Sequence, residues 1–163
     1  AGTTASRSRR PILWRRSILP LQKNQKRKEG EMMALSIVAA KDIEQAFEIL
    51  SASPRKAVKD HLAEEPEEVG KFIYDFRAAF TNYECYYRFD PYRDILLEID
   101  QVSAVKVFSD SVIKWLAEHD AEENSVIQRY GVSFPKIRRF AADLRHVCDI
   151  AMEHGYGLVG FGD

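Results

Sequence analysis

Cysteine is scarce in this sequence. Cys85 and Cys148 are the two in 163 residues, far apart and outside any CxxC pair. That is not a disulfide-rich pattern, although one structural disulfide stays open, and it fits a reducing, cytoplasmic setting in which each behaves as a small buried hydrophobe. Long apolar stretches are missing too. No run approaches the roughly eighteen residues that span a bilayer, so no membrane span is expected. GxSxG, HExxH and Walker-type loops are absent, and no fixed period recurs along the chain. Alternating strand-like runs bounded by turn dipeptides are equally rare.

What is present is a domain-sized chain, 45% hydrophobic and 30% charged. A chain of this length buries about two-thirds of its unfolded surface, enough for one core. The formal net charge of −1 hides a segregation. Residues 1–31 hold nine Lys/Arg and two Glu, a balance of +7, whereas residues 32–163 hold fifteen and twenty-three, a balance of −8. The chain therefore reads as a basic, disordered arm (1–31) followed by a single acidic domain (32–163).

Pro11 and Pro20 interrupt the arm, and its apolar residues keep no period. Three origins fit it: an organelle transit-like segment or tag, a basic arm for nucleic acid or membrane surfaces, or translated DNA upstream of the true start. The third accounts for the abrupt change at Met32. Lys28-Glu29-Gly30 can be encoded by a purine-rich ribosome-binding sequence just ahead of Met32 and Met33.

From Met33 onward a helical period dominates. It predicts helices near 40–51, from Ser53-Pro54 to about Glu64, and from Pro66 through Tyr87 along an aromatic stripe. Asp90-Pro91 opens another with Tyr92, Ile95, Leu96 and Ile99 on one face. Val105 to Leu116 mark the next, and Asn124 to Tyr130 form a short piece closed by Gly131. The last runs from Ser133-Pro135 to Gly155. Leu35–Ala40 and Leu158–Phe161 are candidates for short extended pieces. The expected fold class is all-α: an irregular bundle of six or seven helices with a glycine-rich C-terminal tail.

Gly155, Gly157 and Gly160 match GxGxxG, but a dinucleotide site needs a strand before the glycines and a helix after them. Here a helix precedes them and three residues follow. The tail is instead expected to pack back on the bundle, its alternative being presentation to a partner. Asp143-x-x-His146 occurs once, without the second copy of a di-iron bundle, and His61, His119 and His154 lack partners at zinc-like spacing. No cofactor, metal or catalytic residue is assigned. Lys136, Arg138, Arg139 and Arg145 read as the solvated face of the last helix.

The segment from Tyr83 to Arg93 is rich in tyrosine and arginine, which protein interfaces favour. Core packing should claim Tyr83 and Tyr87, leaving Tyr86 and Tyr92 on another face. The expected working surface is acidic and tyrosine-bearing: Glu84, Tyr86, Tyr92, Asp94, Glu98, Glu122 and Glu123. Such a surface repels nucleic-acid backbones and attracts basic proteins. The sequence thus predicts a non-enzymatic, bacterial, cytoplasmic binding or regulatory protein for a protein partner, one concrete form being an inhibitor or immunity-type protein that masks a basic toxin or nuclease. Two other classes stand beside it: a bundle holding a small molecule in an aromatic-lined pocket, and an enzyme with a spatially assembled acidic site.

Overall fold

The computed structural model describes residues 35–51 and 61–162, all within a compact unit spanning Met33–Asp163. The arm of residues 1–31 and the helix start expected at Ser53-Pro54 lie outside the described residues. Among the described residues the fold is a helix-rich α+β structure built on a four-stranded antiparallel sheet, which corrects the all-α expectation.

The sheet is made by β1 (Leu35–Ala40), β2 (Leu62–Glu65), β3 (Ile95–Leu97) and β4 (Gly157–Gly162), in the order β2-β1-β4-β3. The two extended candidates are therefore its central strands. They pair over their full length, with Leu35 opposite Gly162 and Ala40 opposite Gly157. Leu35, Ile37, Ala39 and Leu158 point into the larger core, while Val38, Ala40, Val159 and Phe161 point into a smaller one. With both faces buried, neither strand alternates apolar and polar residues, Ser36 being the one polar side chain in the two.

The smaller core is closed by α1 (Ile43–Ser51), whose Ala46 is fully buried and whose Phe47 ring lies 4.8 Å from that of Phe161. On the other face, α6 (Phe134–His154) packs on β1 and β2, and α4 (Val102–Glu118) packs along α6. Both long helices run as their apolar spacing predicts. Val105, Phe108, Val112 and Leu116 meet Ile137, Ala141, Leu144 and Val147 in the larger core. Lys106–Asp149 at 2.7 Å and Arg145–Asp110 at 3.1 Å tie the rims of the two helices together. Residues Gly131 and Gly155 close α5 (Glu123–Tyr130) and α6 at φ of 71° and 72°, the left-handed conformation that glycine adopts without strain.

Four expectations are corrected here. Leu62–Glu65 is an edge strand, not the end of a helix, because Leu62 and Ala63 fill the two faces beside Val38 and Ile37. Ile95–Leu97 is a strand on β4, not the face of a helix opened by Asp90-Pro91. The aromatic stripe is not one helix. It breaks into α2 (Glu67–Asp75), a 3-10 turn at Arg77–Ala79 and the single turn α3 (Tyr83–Tyr86). Asn82, left-handed at φ 61°, resets the helical phase before α3. Tyr86 is consequently buried and Tyr87 is 61% exposed, the reverse of the uninterrupted-helix reading.

The tail expectation is corrected as well: residues 157–162 lie inside the sheet rather than over the bundle. Two of the GxGxxG glycines permit this closeness. A Cβ on Gly157 would overlap the Leu97 carbonyl, and one on Gly160 would overlap the Phe89 ring. These glycines serve strand packing within β4.

Candidate functional site

The edge strand β2, helices α2, α3 and α5, and the 89–92 segment surround a cleft of about 580 Å3. Six of the seven tyrosines line it: Tyr74, Tyr83, Tyr86, Tyr87, Tyr92 and Tyr130. Glu65 lines it beside them. As the cross-strand neighbour of Leu35, it occupies the same face as Ala63, which lies opposite Ile37. Strand periodicity thus places its carboxyl on the larger-core side of the sheet, against α2. Gly70 makes room there. A Cβ at that position would come within 2.7 Å of Glu65 Oε1.

The hydroxyl of Tyr86 donates a hydrogen bond to Glu65 Oε2. Tyr86 is itself held from behind, its ring stacked on Phe108 with centroids 4.5 Å apart and set edge-on to Phe140 at 6.3 Å. Burial pushes the Glu65 carboxyl up to about 7, a rise only partly opposed by the Tyr86 hydrogen bond. The Tyr86 hydroxyl is held well above the usual phenol range, by burial first and then by the neighbouring Glu65 charge.

The other charged groups at the cleft are already engaged. Lys71 lies 3.9 Å from Glu67. Asp75 accepts the Tyr130 hydroxyl at 2.6 Å and faces Arg129 at 3.6 Å. Among the described residues, no Lys, Arg or His pairs with Glu65.

This arrangement makes a stability prediction. The ionised form of Glu65 is disfavoured in the fold, because its folded-state pKa lies above the ordinary glutamate value of 4.5. Below about pH 4 the group is protonated whether folded or unfolded and carries no penalty. The penalty grows as pH rises from 4.5 and is complete above about 7. Glu65→Gln keeps an acceptor for Tyr86 but removes the charge. It should match the parent in urea at about pH 4 and exceed it at about pH 8.5 by up to ~3 kcal/mol, at about 1.4 kcal/mol per unit. Equal stabilities across that range would show that the carboxyl is not desolvated.

The residues expected from sequence do not form one surface. Tyr86 is 5% exposed and lines the cleft from within, while Tyr92, 73% exposed, stands at its rim. Glu84 is exposed on α3, and Asp94 and Glu98 are exposed on either side of β3. Glu122 and Glu123 follow α4, whose seventeen residues make a rod about 25 Å long between them and Glu98. Glu123 Oε2 accepts the backbone N–H of Phe134 at 2.9 Å and so caps the start of α6.

Sequence reasoning missed Glu65. It lies in the acidic run Glu64-Glu65-Pro66-Glu67-Glu68, which resembles a solvated helix start. The abundance of tyrosine was the legible signal, although it did not reveal which rings converge.

Cys85 and Cys148 are free, and burial pushes the Cys148 thiol up to about 12, far from a reactive thiolate. In the basic cluster of α6, Lys136 is joined to Glu68 at 2.7 Å and Arg145 to Asp110. No described helix is long and apolar enough to cross a membrane. Set against protein-family models, curated proteins and solved structures, the chain matches none of them.

Proposed function

We propose that this protein is a non-enzymatic binding domain that engages a basic protein partner through the face around the tyrosine cleft. The observation that carries the reading is the exposure of its rim: Tyr74, Tyr87 and Tyr92 are 45%, 61% and 73% exposed around a single concavity. Rings left in water at the mouth of a pocket are anchors of the kind that dominate interface energies. The −8 balance of residues 32–163 supplies a field that draws a basic partner. Binding fits better than catalysis because Glu67 and Asp75 are already paired, leaving Glu65 without a second unengaged carboxylate beside it. An inhibitor or immunity-type protein that masks a basic toxin or nuclease is the concrete form of this function. A small-molecule role is the second reading, favoured by a cleft volume within the roughly 300–1,000 Å3 of ligand pockets.

Capture on immobilised protein at low and high ionic strength tests the main reading. A basic protein should be retained at low salt and released when the screening length falls below about 10 Å. Tyr87→Ala with Tyr92→Ala should reduce its retention by about tenfold or more, as loss of interface anchors does. Retention indifferent to salt, or no basic protein retained, would overturn the proposal.

A further inference from the structure

We propose that the cleft receives a primary ammonium head, the kind a lysine side chain of the partner carries, held among the tyrosine rings with the Glu65 carboxylate as its counter-ion. The inference rests on the reading of this face as the site for a basic partner, and it names the group recognised.

Three features converge on it. First, Glu65 is a desolvated carboxyl with no cation of the described residues paired to it, whereas Glu67 and Asp75 each face one. A desolvated carboxyl is relieved either by a proton or by a cation, and an arriving ammonium would hold Glu65 ionised. Second, its surroundings are aromatic. Tyr83 and Tyr87 rings lie 5.5 Å apart, and Tyr74 and Tyr87 rings 6.3 Å apart, on the wall beside Glu65. Tyrosine faces attract a cation through the ring quadrupole, most strongly where water is excluded. The chain already uses this attraction nearby, where the Arg77 guanidinium lies 4.1 Å over the Tyr74 ring.

Third, the carboxyl geometry selects the shape of the cation. Tyr86 already donates to Oε2, so Oε1 is the oxygen left without a donor among the described residues. A guanidinium fork matches a carboxylate by engaging both oxygens, whereas an ammonium needs one. Leu35, Ile73 and Phe89 in the lining offer apolar surface to the methylene stem of a lysine.

The test uses the full chain and titrates three probes: n-butylammonium, Nα-acetyl-lysine methylamide and its Nε-acetylated form, followed by amide chemical shifts and tyrosine fluorescence. Both cations should bind and perturb residues 65–75 and 83–92. Nε-acetylation, which removes the charge and keeps the stem, should weaken binding by about tenfold or more. Glu65→Gln should do the same to the charged probes. The probe comparison on the parent protein decides the matter even if that variant folds poorly. Equal binding of the charged and acetylated probes, or shifts confined to other parts of the surface, would overturn the inference. Its failure is separable from that of the function proposed above. Salt-dependent capture of a basic protein by Glu65→Gln at parental strength would sink the ammonium site alone. Tight ammonium binding without any captured basic protein would sink the protein partner and leave the site standing.

Discussion

Removing residues 156–163 should abolish cooperative folding rather than trim a surface. Strand β4 is bonded to β1 along one edge and to β3 along the other, so its loss separates β2-β1 from β3. Leu158 and Val159 are fully buried and Phe161 is 9% exposed, and they contribute to both cores. At about 1.5–3 kcal/mol for each large apolar side chain returned to water, these three alone account for roughly 5–9 kcal/mol. A domain's whole margin is about 5–15 kcal/mol. Circular dichroism with amide chemical-shift dispersion checks the outcome: the truncated chain should show no sharp thermal transition and collapsed dispersion. A truncated protein that melts in one step near the parent would refute the central position of β4.

The second large effect is at Phe140. This ring is 3% exposed on α6 and lies edge-on to Tyr86, the tyrosine that holds Glu65. Phe140→Ala should cost about 3–5 kcal/mol, combining lost transfer energy with a cavity between α6 and α3. Arg139→Ala, one residue away on the exposed face, should fall within about ±0.5 kcal/mol. Urea titration of both variants gives the comparison, and equal effects would refute the phase assigned to α6. Because the Phe140 cavity opens behind Tyr86, that variant should also weaken n-butylammonium binding, whereas Arg139→Ala should not.

The helices that were legible in the sequence are those that bury one apolar stripe along an unbroken period. In α4 and α6 the polar residues between Val105, Phe108 and Val112, or between Ile137, Phe140 and Leu144, leave the 3.6-residue period intact. Gly131 and Gly155 mark the stops of α5 and α6, whereas α4 ends at His119 without a glycine. Of the sheet, Leu35–Ala40 and Leu158–Phe161 were legible as extended pieces, but their pairing and the two outer strands were not, for three separate reasons. The central strands face protein on both sides and so lack alternation. Strands β2 and β3, of four and three residues, are too short to show any period. Finally, the contacts that define the sheet join residues as distant as Leu35 and Gly162, beyond any local window.

The candidate site was half legible. Tyr86 and Tyr92 were singled out from composition, and both line the cleft. Their opposite burial depends on Asn82, whose left-handed backbone no spacing rule anticipates. Glu65 was hidden because its acidic neighbours suggest a solvated helix start, whereas its place on the core-side face of the sheet follows from strand pairing with Leu35.

The pairing of β1 with β4 also governs when the protein can acquire its structure. Strand β1 emerges from the ribosome early, yet its partner on one side consists of residues 157–162. The hairpin-like contact with β2 and the helices of the 102–154 region can form during synthesis, but the sheet cannot close until residue 162 has cleared the exit tunnel. Until then Val38 and Ala40 have no β4 to pair with, and an open strand edge faces the chaperones and neighbouring nascent chains. Closing so long a loop also slows the final step relative to a helical bundle of equal size. Completion of the sheet is therefore a late step, and protection of β1 should matter to yield for as long as β4 is missing.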